Sequence, residues 1–146
     1  AFQDPVAWSV DSKESGQPKY YGGLNISARD LAKFGNLILN KGVINNEQIL
    51  NPYTSTFCKD SECRNKEGKY CNGWWYNTWD ESTDVFFGAG FKGQIMMVNN
   101  TTGVVIVRLG ENKGGLQWYD MMKNLSNLLF DENPINHLQK DDLAKK

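Results

Sequence analysis

The sequence lacks any apolar run approaching the roughly 20 residues that a membrane-spanning helix needs. Its first residues also lack the basic region and the apolar core of a secretory signal peptide. Charge of one sign is lacking as well, because 16 basic and 17 acidic residues are interspersed and leave a net charge of −1. These absences predict no membrane span in this chain and no nucleic-acid or anionic-lipid partner. A small neutral or peptide-like ligand fits the composition better.

The sequence has few residues suited to metal binding or base catalysis. Cys58, Cys63 and Cys71 lie close together without the paired C-x2-C spacing of a zinc site, so we expect no metal and no cofactor. Two of these cysteines can form a disulfide in an oxidising compartment, and three ordinary thiols explain the spacing equally well. The only histidine, His137, lies in a polar tail, where nothing would hold it within hydrogen-bond reach of a substrate.

The length supports one hydrophobic core, so we predict one domain over residues 1–130 and a polar tail over residues 131–146. An amphipathic helix is predicted from Ser27 to Lys41, with Ser27 as its N-cap and Gly42 as a left-handed residue at the C′ position. A second helix is predicted from about Leu116 to Phe130. Its apolar face comprises Leu116, Tyr119, Met122, Leu125 or Ser126, and Leu129.

Three strands are predicted between the helices, at residues 74–79, 91–98 and 104–109, from aromatic and β-branched content. The turn-rich link from Asn99 to Gly103 predicts that the last two form an antiparallel hairpin. The element order therefore indicates an α+β fold, in which helices flank an antiparallel sheet.

The segment from Gly88 to Gln94 reads GAGFKGQ and formally matches G-x-G-x-x-G. A dinucleotide site needs a helix directly after such a loop, whereas Ile95 to Val98 continues as a strand. A protein kinase also needs downstream H-R-D and D-F-G segments, which the sequence does not contain. Another interpretation is that Gly88 and Gly90 mark a β-bulge.

Four segments in the same order resemble serine β-lactamase-like, or penicillin-binding-protein-like, hydrolases. Residues 21–35 read YGGLNISARDLAKFG, which is similar to a GGL-x-x-SARDLA-x-FG segment of that family. Residues 72–75, 90–94 and 104–109 resemble the family's Gly-Trp strand, its G-x-x-G-Q strand and the strand that follows. The resemblance covers most of residues 2–130 and implies the C-terminal part of the β-lactamase/transpeptidase-like fold.

The family hydrolyses amides or esters through an acyl-serine, using an S-x-x-K nucleophile motif, a tyrosine or serine motif and a K-T-G strand. No S-x-x-K occurs in this sequence, so the resemblance implies that the nucleophile lies in an upstream segment of the same protein. That segment would also cover the apolar residues near the start, such as Phe2 and Trp8. This chain alone is therefore predicted to be inactive.

Gly88-Ala89-Gly90 stands where the family has K-T-G, so these residues are the candidate substrate-binding site. The lysine that would contact a substrate carboxylate is absent, which argues against penicillin and for another small amide or ester. The resemblance also implies that the backbone N–H of Phe91 serves as an oxyanion-hole donor. The family suggests a periplasmic or secreted location.

Other residues have simpler interpretations. We place Lys92 on the strand after Gly90 and expect it to be a solvated surface residue, while Gln94 braces that strand if the resemblance holds. Tyr70 is interpreted as a packing residue. The aromatic group Trp74, Trp75, Tyr76 and Trp79 is expected to be partly buried and partly at a cleft rim. The alternative function is a non-catalytic module on the same fold that binds a glycan or a cell-wall peptide.

Overall fold

A computed structural model describes residues 2–19, 22–51, 70–71, 73–76, 84–111 and 117–131. Two helices lie in these ranges, α1 (Ala28–Leu39) and α2 (Trp118–Asp131). Nine strands accompany them in the described part of the chain: β1 (Ala7–Trp8), β2 (Leu24–Asn25), β3 (Val43–Ile44), β4 (Glu47–Gln48), β5 (Tyr70–Cys71), β6 (Trp74–Tyr76), β7 (Val85–Gly90), β8 (Gln94–Asn99) and β9 (Val104–Arg108).

Strands β5 to β9 form an antiparallel sheet in sequence order, and β1–β2 and β3–β4 form two small antiparallel pairs. Side chains alternate across the sheet, as the pleat requires. Phe86 and Val98 pack with Ile38 of α1 on one face. Val85 and Met97 pack with Met122 of α2 on the other. The predicted α+β fold, an antiparallel sheet flanked by helices, is confirmed.

Helix α1 begins as predicted, whereas its C-terminal cap lies one residue earlier than predicted. Ser27 is the N-cap, and its side chain accepts a hydrogen bond from the Asp30 amide. At the other end, Lys41 and Gly42 donate to the carbonyls of Ile38 and Leu37, which is the Schellman pattern. The C′ residue is therefore Lys41, with φ 54°, and Gly42 follows it with φ 82°. The placement of Gly42 at C′ was wrong by one position.

Asp30 ties the N-terminal segment to α1. Its buried carboxylate accepts hydrogen bonds from the amides of Gln3 and Asp4, at 3.0 and 2.8 Å, and from Lys33 Nζ at 2.7 Å. Burial alone would raise the pKa of Asp30, but the Lys33 and amide hydrogen bonds outweigh it and lower the pKa to about 2. The carboxylate is therefore held in its charged form.

The strand predicted at residues 91–98 was wrong in its first half. Residues 91–93 form a three-residue turn between β7 and β8, and the preceding residues, Val85–Gly90, form a strand that the sequence pattern did not reveal. Lys92 and Gly93 have φ values of 61° and 83°. Regular strands do not contain two successive residues with positive φ, whereas some tight hairpin turns use them.

The face of α2 also differs from the prediction. Met122 and Ser126 are buried, whereas Leu125 and Leu129 are 43% and 47% exposed. The buried position is polar because Asn99 of β8 donates a 2.9 Å hydrogen bond to Ser126 Oγ. The predicted tail, residues 131–146, lies outside the described residues apart from Asp131, so the domain boundary stays a prediction.

Candidate functional site

The candidate substrate-binding residues Gly88, Ala89 and Gly90 form the last half of β7. Alternation along the strand places Gly88 and Gly90 on the face that carries Phe86. A Cβ at Gly88 would lie 3.8 Å from the Trp74 ring, and one at Gly90 would lie 3.2 Å from Gln94 Cβ. The two glycines therefore leave bare backbone beside Trp74 on this face.

The same half of β7 has an open edge. Strand β6 pairs with β7 through Trp75↔Phe87 and Tyr76↔Phe86, whereas β8 pairs with β7 as far as Gly90↔Gln94. Trp74 of β6 still lies beside Gly88. Within the described residues, only Ala89 and Gly90 therefore have a strand neighbour on the β8 side alone. Backbone groups at such an edge can be reached by an extended ligand.

The turn after Gly90 carries the other candidate, Phe91. Gly90 is extended, with φ −107° and ψ 168°, and the Phe91 side chain is 83% exposed. Its ring lies 5.8 Å below the ammonium of Lys92. The turn thus presents an aromatic ring and the main chain of Phe91 at the end of the open edge.

Lys92 lies in the turn and not on the strand after Gly90, where the sequence pattern placed it. Its Nζ forms an ion pair with Glu111 at 2.9 Å, and the two side chains are 52% and 47% exposed. It is a surface residue, as expected, but its charge is paired.

Arg108 is the residue of this region that the sequence interpretation missed. Its guanidinium donates hydrogen bonds to the carbonyl oxygens of Gly93, Gly110 (3.0 Å) and Glu111 (2.9 Å). It also lies 4.1 Å from the centre of the Trp118 ring. The one available signal was a cation at the end of the apolar run that forms β9.

The aromatic residues divide as expected. Trp74 packs edge-on against Phe86, with ring centres 5.2 Å apart, and Tyr76 also contacts that ring. Trp75 is 37% exposed, and its ring lies 4.8 Å from that of Tyr70. Tyr70 therefore packs on Trp75 while its own side chain stays 38% exposed. Trp79, His137, Cys58, Cys63 and the side chain of Cys71 lie outside the described residues.

A cavity of about 570 Å³ lies elsewhere, between α1 and the β3–β4 turn, and its walls include Phe34, Leu37 and Ile44. In the described part of the chain, no group of three or more His, Cys, Asp or Glu residues is placed to hold a metal ion. Neither of the helices described above is long and apolar enough to cross a bilayer.

The architecture is that of part of the β-lactamase/transpeptidase-like fold, with an antiparallel sheet and a helix on each face. Among solved structures, the chain is similar to a Bacillus anthracis protein assigned as a 6-aminohexanoate-dimer hydrolase. The two share 27% sequence identity with a TM-score of 0.66, over 83% of this chain and 33% of that one. The chain thus spans about a third of that protein. No protein-family model and no curated protein matches the sequence.

Proposed function

We propose that this chain is the C-terminal portion of a serine hydrolase of the β-lactamase and penicillin-binding-protein-like superfamily. It would contribute the oxyanion side of the active site, and the nucleophilic serine and its lysine would come from an upstream segment. The observation that carries the proposal is the open edge of β7 at residues 89–90, which ends in the turn that bears Phe91. The similarity to a hydrolase structure supports the reaction class.

In acyl transfer, the substrate carbonyl oxygen becomes negatively charged as the serine attacks the carbonyl carbon. A backbone N–H aimed at that oxygen stabilises the transition state more than the ground state. The Phe91 N–H is the proposed donor, and the bare backbone at Gly88 and Gly90 would let the substrate lie against β7. A main-chain donor needs no particular side chain, which suits a site that lacks the K-T-G lysine.

The charges around the turn favour a neutral substrate. The K-T-G lysine is replaced by Gly88, and Lys92 within the turn is paired with Glu111. The guanidinium of Arg108 beside the turn donates its hydrogen bonds to backbone carbonyls. The exposed Phe91 ring offers an apolar surface beside the proposed donor. We therefore infer a small amide or ester that lacks the carboxylate that penicillin would present to the K-T-G lysine. The neighbour's name refers to a 6-aminohexanoate dimer, which is an amide and so agrees with amide hydrolysis, whereas its terminal carboxylate and amine make it a charged molecule.

The first test compares this chain with a longer form that carries the residues preceding it in its gene. Ester and nitrocefin hydrolysis and fluorophosphonate labelling should be absent in this chain and present in the longer form. Ester hydrolysis should exceed nitrocefin hydrolysis if the neutral-substrate inference holds. A longer form that is folded yet neither labelled nor active would contradict the proposal.

The second test removes the Phe91 N–H in the longer form. Phe91→Pro deletes the donor, and the extended ψ of Gly90, 168°, is compatible with a following proline. The turnover number should fall about 10²–10³-fold, the usual effect of losing one oxyanion donor. Phe91→Ala keeps the N–H, so kcat/KM should fall by no more than about tenfold, chiefly through a higher KM. Equal losses in the two variants would show that the amide is not the donor.

A second candidate function, a glycan- or peptide-binding module, is favoured by one observation. Tyr70 and Trp75 form an aromatic pair whose side chains are 38% and 37% exposed, and exposed aromatic surfaces serve ligand stacking. Peptidoglycan fragments titrated into this chain should then bind, and Trp75→Ala should abolish the binding. Trp8→Ala, at another exposed tryptophan, is the matched control. Binding by a longer form that lacks activity would favour this module over the hydrolase.

A further inference from the structure

Among the described residues, the turn at residues 91–93 has few side-chain contacts of its own to hold it in place. The Phe91 ring is 83% exposed, and Lys92 forms an ion pair in which both partners are about half exposed. Such surface pairs stabilise little. The turn follows an open strand edge and contributes no buried side chain to the cores on either face of the sheet.

Arg108 joins this turn to the loop after β9. One guanidinium nitrogen donates to the carbonyl of Gly93 in the turn and also to that of Gly110, at 3.0 Å, and the other donates to Glu111 O at 2.9 Å. The guanidinium carbon lies 4.1 Å from the centre of the Trp118 ring at the start of α2. The guanidinium is thus held by the loop after β9 and by α2, in addition to its contact with the turn.

We propose that Arg108 is a positioning residue that fixes the turn at residues 91–93, and hence the direction of the Phe91 N–H. The claim about catalysis rests on the proposed function, whereas the claim about the turn does not. Gly90 is already fixed by its pairing with Gln94. The same pair fixes Gln94 at the other end, so holding the Gly93 carbonyl adds a restraint inside the three-residue turn, and Phe91 lies between Gly90 and this restraint.

Arginine suits this role better than lysine. Three carbonyl acceptors and one aromatic face surround the group, and a planar guanidinium can donate in several directions while its face stacks on a ring. A lysine ammonium is a compact group on a flexible stem, so Arg108→Lys should keep the charge and lose most of the geometry. Arg29, an exposed arginine of α1, offers the matched control.

The structural test uses ¹⁵N relaxation of this chain. Order parameters of the Phe91, Lys92 and Gly93 amides should be near 0.85 in the unchanged protein, the value of rigid backbone, and should fall below about 0.6 in Arg108→Ala. Arg108→Lys should give intermediate values. Amides of Met97 and Val98 in the centre of β8 should keep their values in all variants, and Arg29→Lys should change none.

Two outcomes would overturn the inference about the turn. One is a turn that stays rigid in both Arg108 variants, and the other is a turn that is already mobile in the unchanged protein. If Arg108→Ala loses the dispersed signals of β8 and is therefore unfolded, the Arg108→Lys variant decides the question, because it keeps the charge and the aliphatic stem.

The catalytic test uses the longer form. Arg108→Lys should lower the turnover number by about 10–100-fold with KM changed less than threefold. Misdirecting the donor should cost part of the rate that deleting the donor costs. Arg29→Lys should leave both constants as they are. An inactive unchanged enzyme refutes the proposed function and leaves the relaxation result standing. A mobile turn in Arg108→Lys with full activity refutes the link between Arg108 and catalysis.

Discussion

The side-chain amide of Asn99 donates a 2.9 Å hydrogen bond to Ser126 Oγ, and both side chains are completely buried between the sheet and α2. Asn99 also accepts hydrogen bonds at 3.1 Å from the amides of Thr101 and Thr102. One polar side chain therefore shapes the β8–β9 turn and fixes where α2 lies on the sheet.

Ser126→Ala removes the acceptor for the buried Asn99 amide and should lower the free energy of unfolding by about 1–3 kcal/mol. Asn99→Ala should cost more, because it also removes the two hydrogen bonds to the turn. Urea denaturation measures both. Asn100→Ala, next in the chain and exposed, should stay within about 0.5 kcal/mol. A cost for Ser126→Ala as small as that of Asn100→Ala would contradict this role.

Gly35 allows α1 to lie close to the sheet. A Cβ at Gly35 would lie 2.6 Å from Val105 Cγ1, and a β-branched side chain has little freedom to move away. Gly35→Ala should therefore destabilise the fold by about 1–3 kcal/mol, although alanine favours a helix more than glycine does. Thermal or urea unfolding measures the change.

Gly22→Ala is the control for this change, because a Cβ at Gly22 would meet nothing within 4 Å. A double variant with Val105→Ala should recover part of the loss in a non-additive way, since the two positions are in contact. Strict additivity would mean that the contact with Val105 is not the cause.

The Asp30 carboxylate predicts a pH dependence of stability. Its pKa is lowered in the folded state from 3.8 to about 2, so the folded protein binds this proton less readily than the unfolded chain. The stabilisation is therefore fully present above about pH 4 and is lost as the pH falls towards 2. Asp30→Asn should be less stable than the unchanged protein at pH 6, and the difference should shrink between pH 4 and 2.

Urea titrations at several pH values measure this difference. Glu47→Gln, at an exposed position of β4, should track the unchanged protein throughout. A gap between Asp30→Asn and the unchanged protein that is constant from pH 6 to pH 2 would show that the charge of Asp30 does not matter.

Lys41 has a left-handed conformation at the end of α1, with φ 54°. A residue with a Cβ is disfavoured there by about 1 kcal/mol, and glycine is not. Lys41→Gly should therefore be more stable than Lys41→Ala by about that amount, with a correspondingly higher Tm. The comparison with alanine removes the effect of losing the lysine side chain, so equal Tm values would refute the strain.

The segments that carry strong local signals could be predicted from the sequence. Ser27 and the spacing of apolar residues after it specify α1, because an N-cap and a 3.6-residue period are local properties. The link from Asn99 to Gly103 specifies the β8–β9 hairpin for the same reason. Two fold features were missed and are less local, namely Lys41 rather than Gly42 at the C′ position and the strand at Val85–Gly90. The sequence also left open whether Leu125 or Ser126 of α2 is buried, and the structure buries Ser126.

The site was predicted in part. The glycines of β7 and Phe91 stand out as a motif, and the roles assigned to them stay predictions. Arg108 has no motif, because its partners are backbone carbonyls at Gly93, Gly110 and Glu111 that any sequence would supply. Contacts to backbone carbonyls produce no recognisable sequence motif.

The sequence by itself determined the helix α1, the β8–β9 hairpin and the class of fold, since propensity and hydrophobic period act over a few residues. Only the tertiary structure decided that Phe91 lies in a turn and not in a strand, that Ser126 and not Leu125 faces the sheet, and that Arg108 donates a hydrogen bond to Gly93 of the turn. Each of these depends on a partner from another element, and the pairing of distant residues is settled by packing.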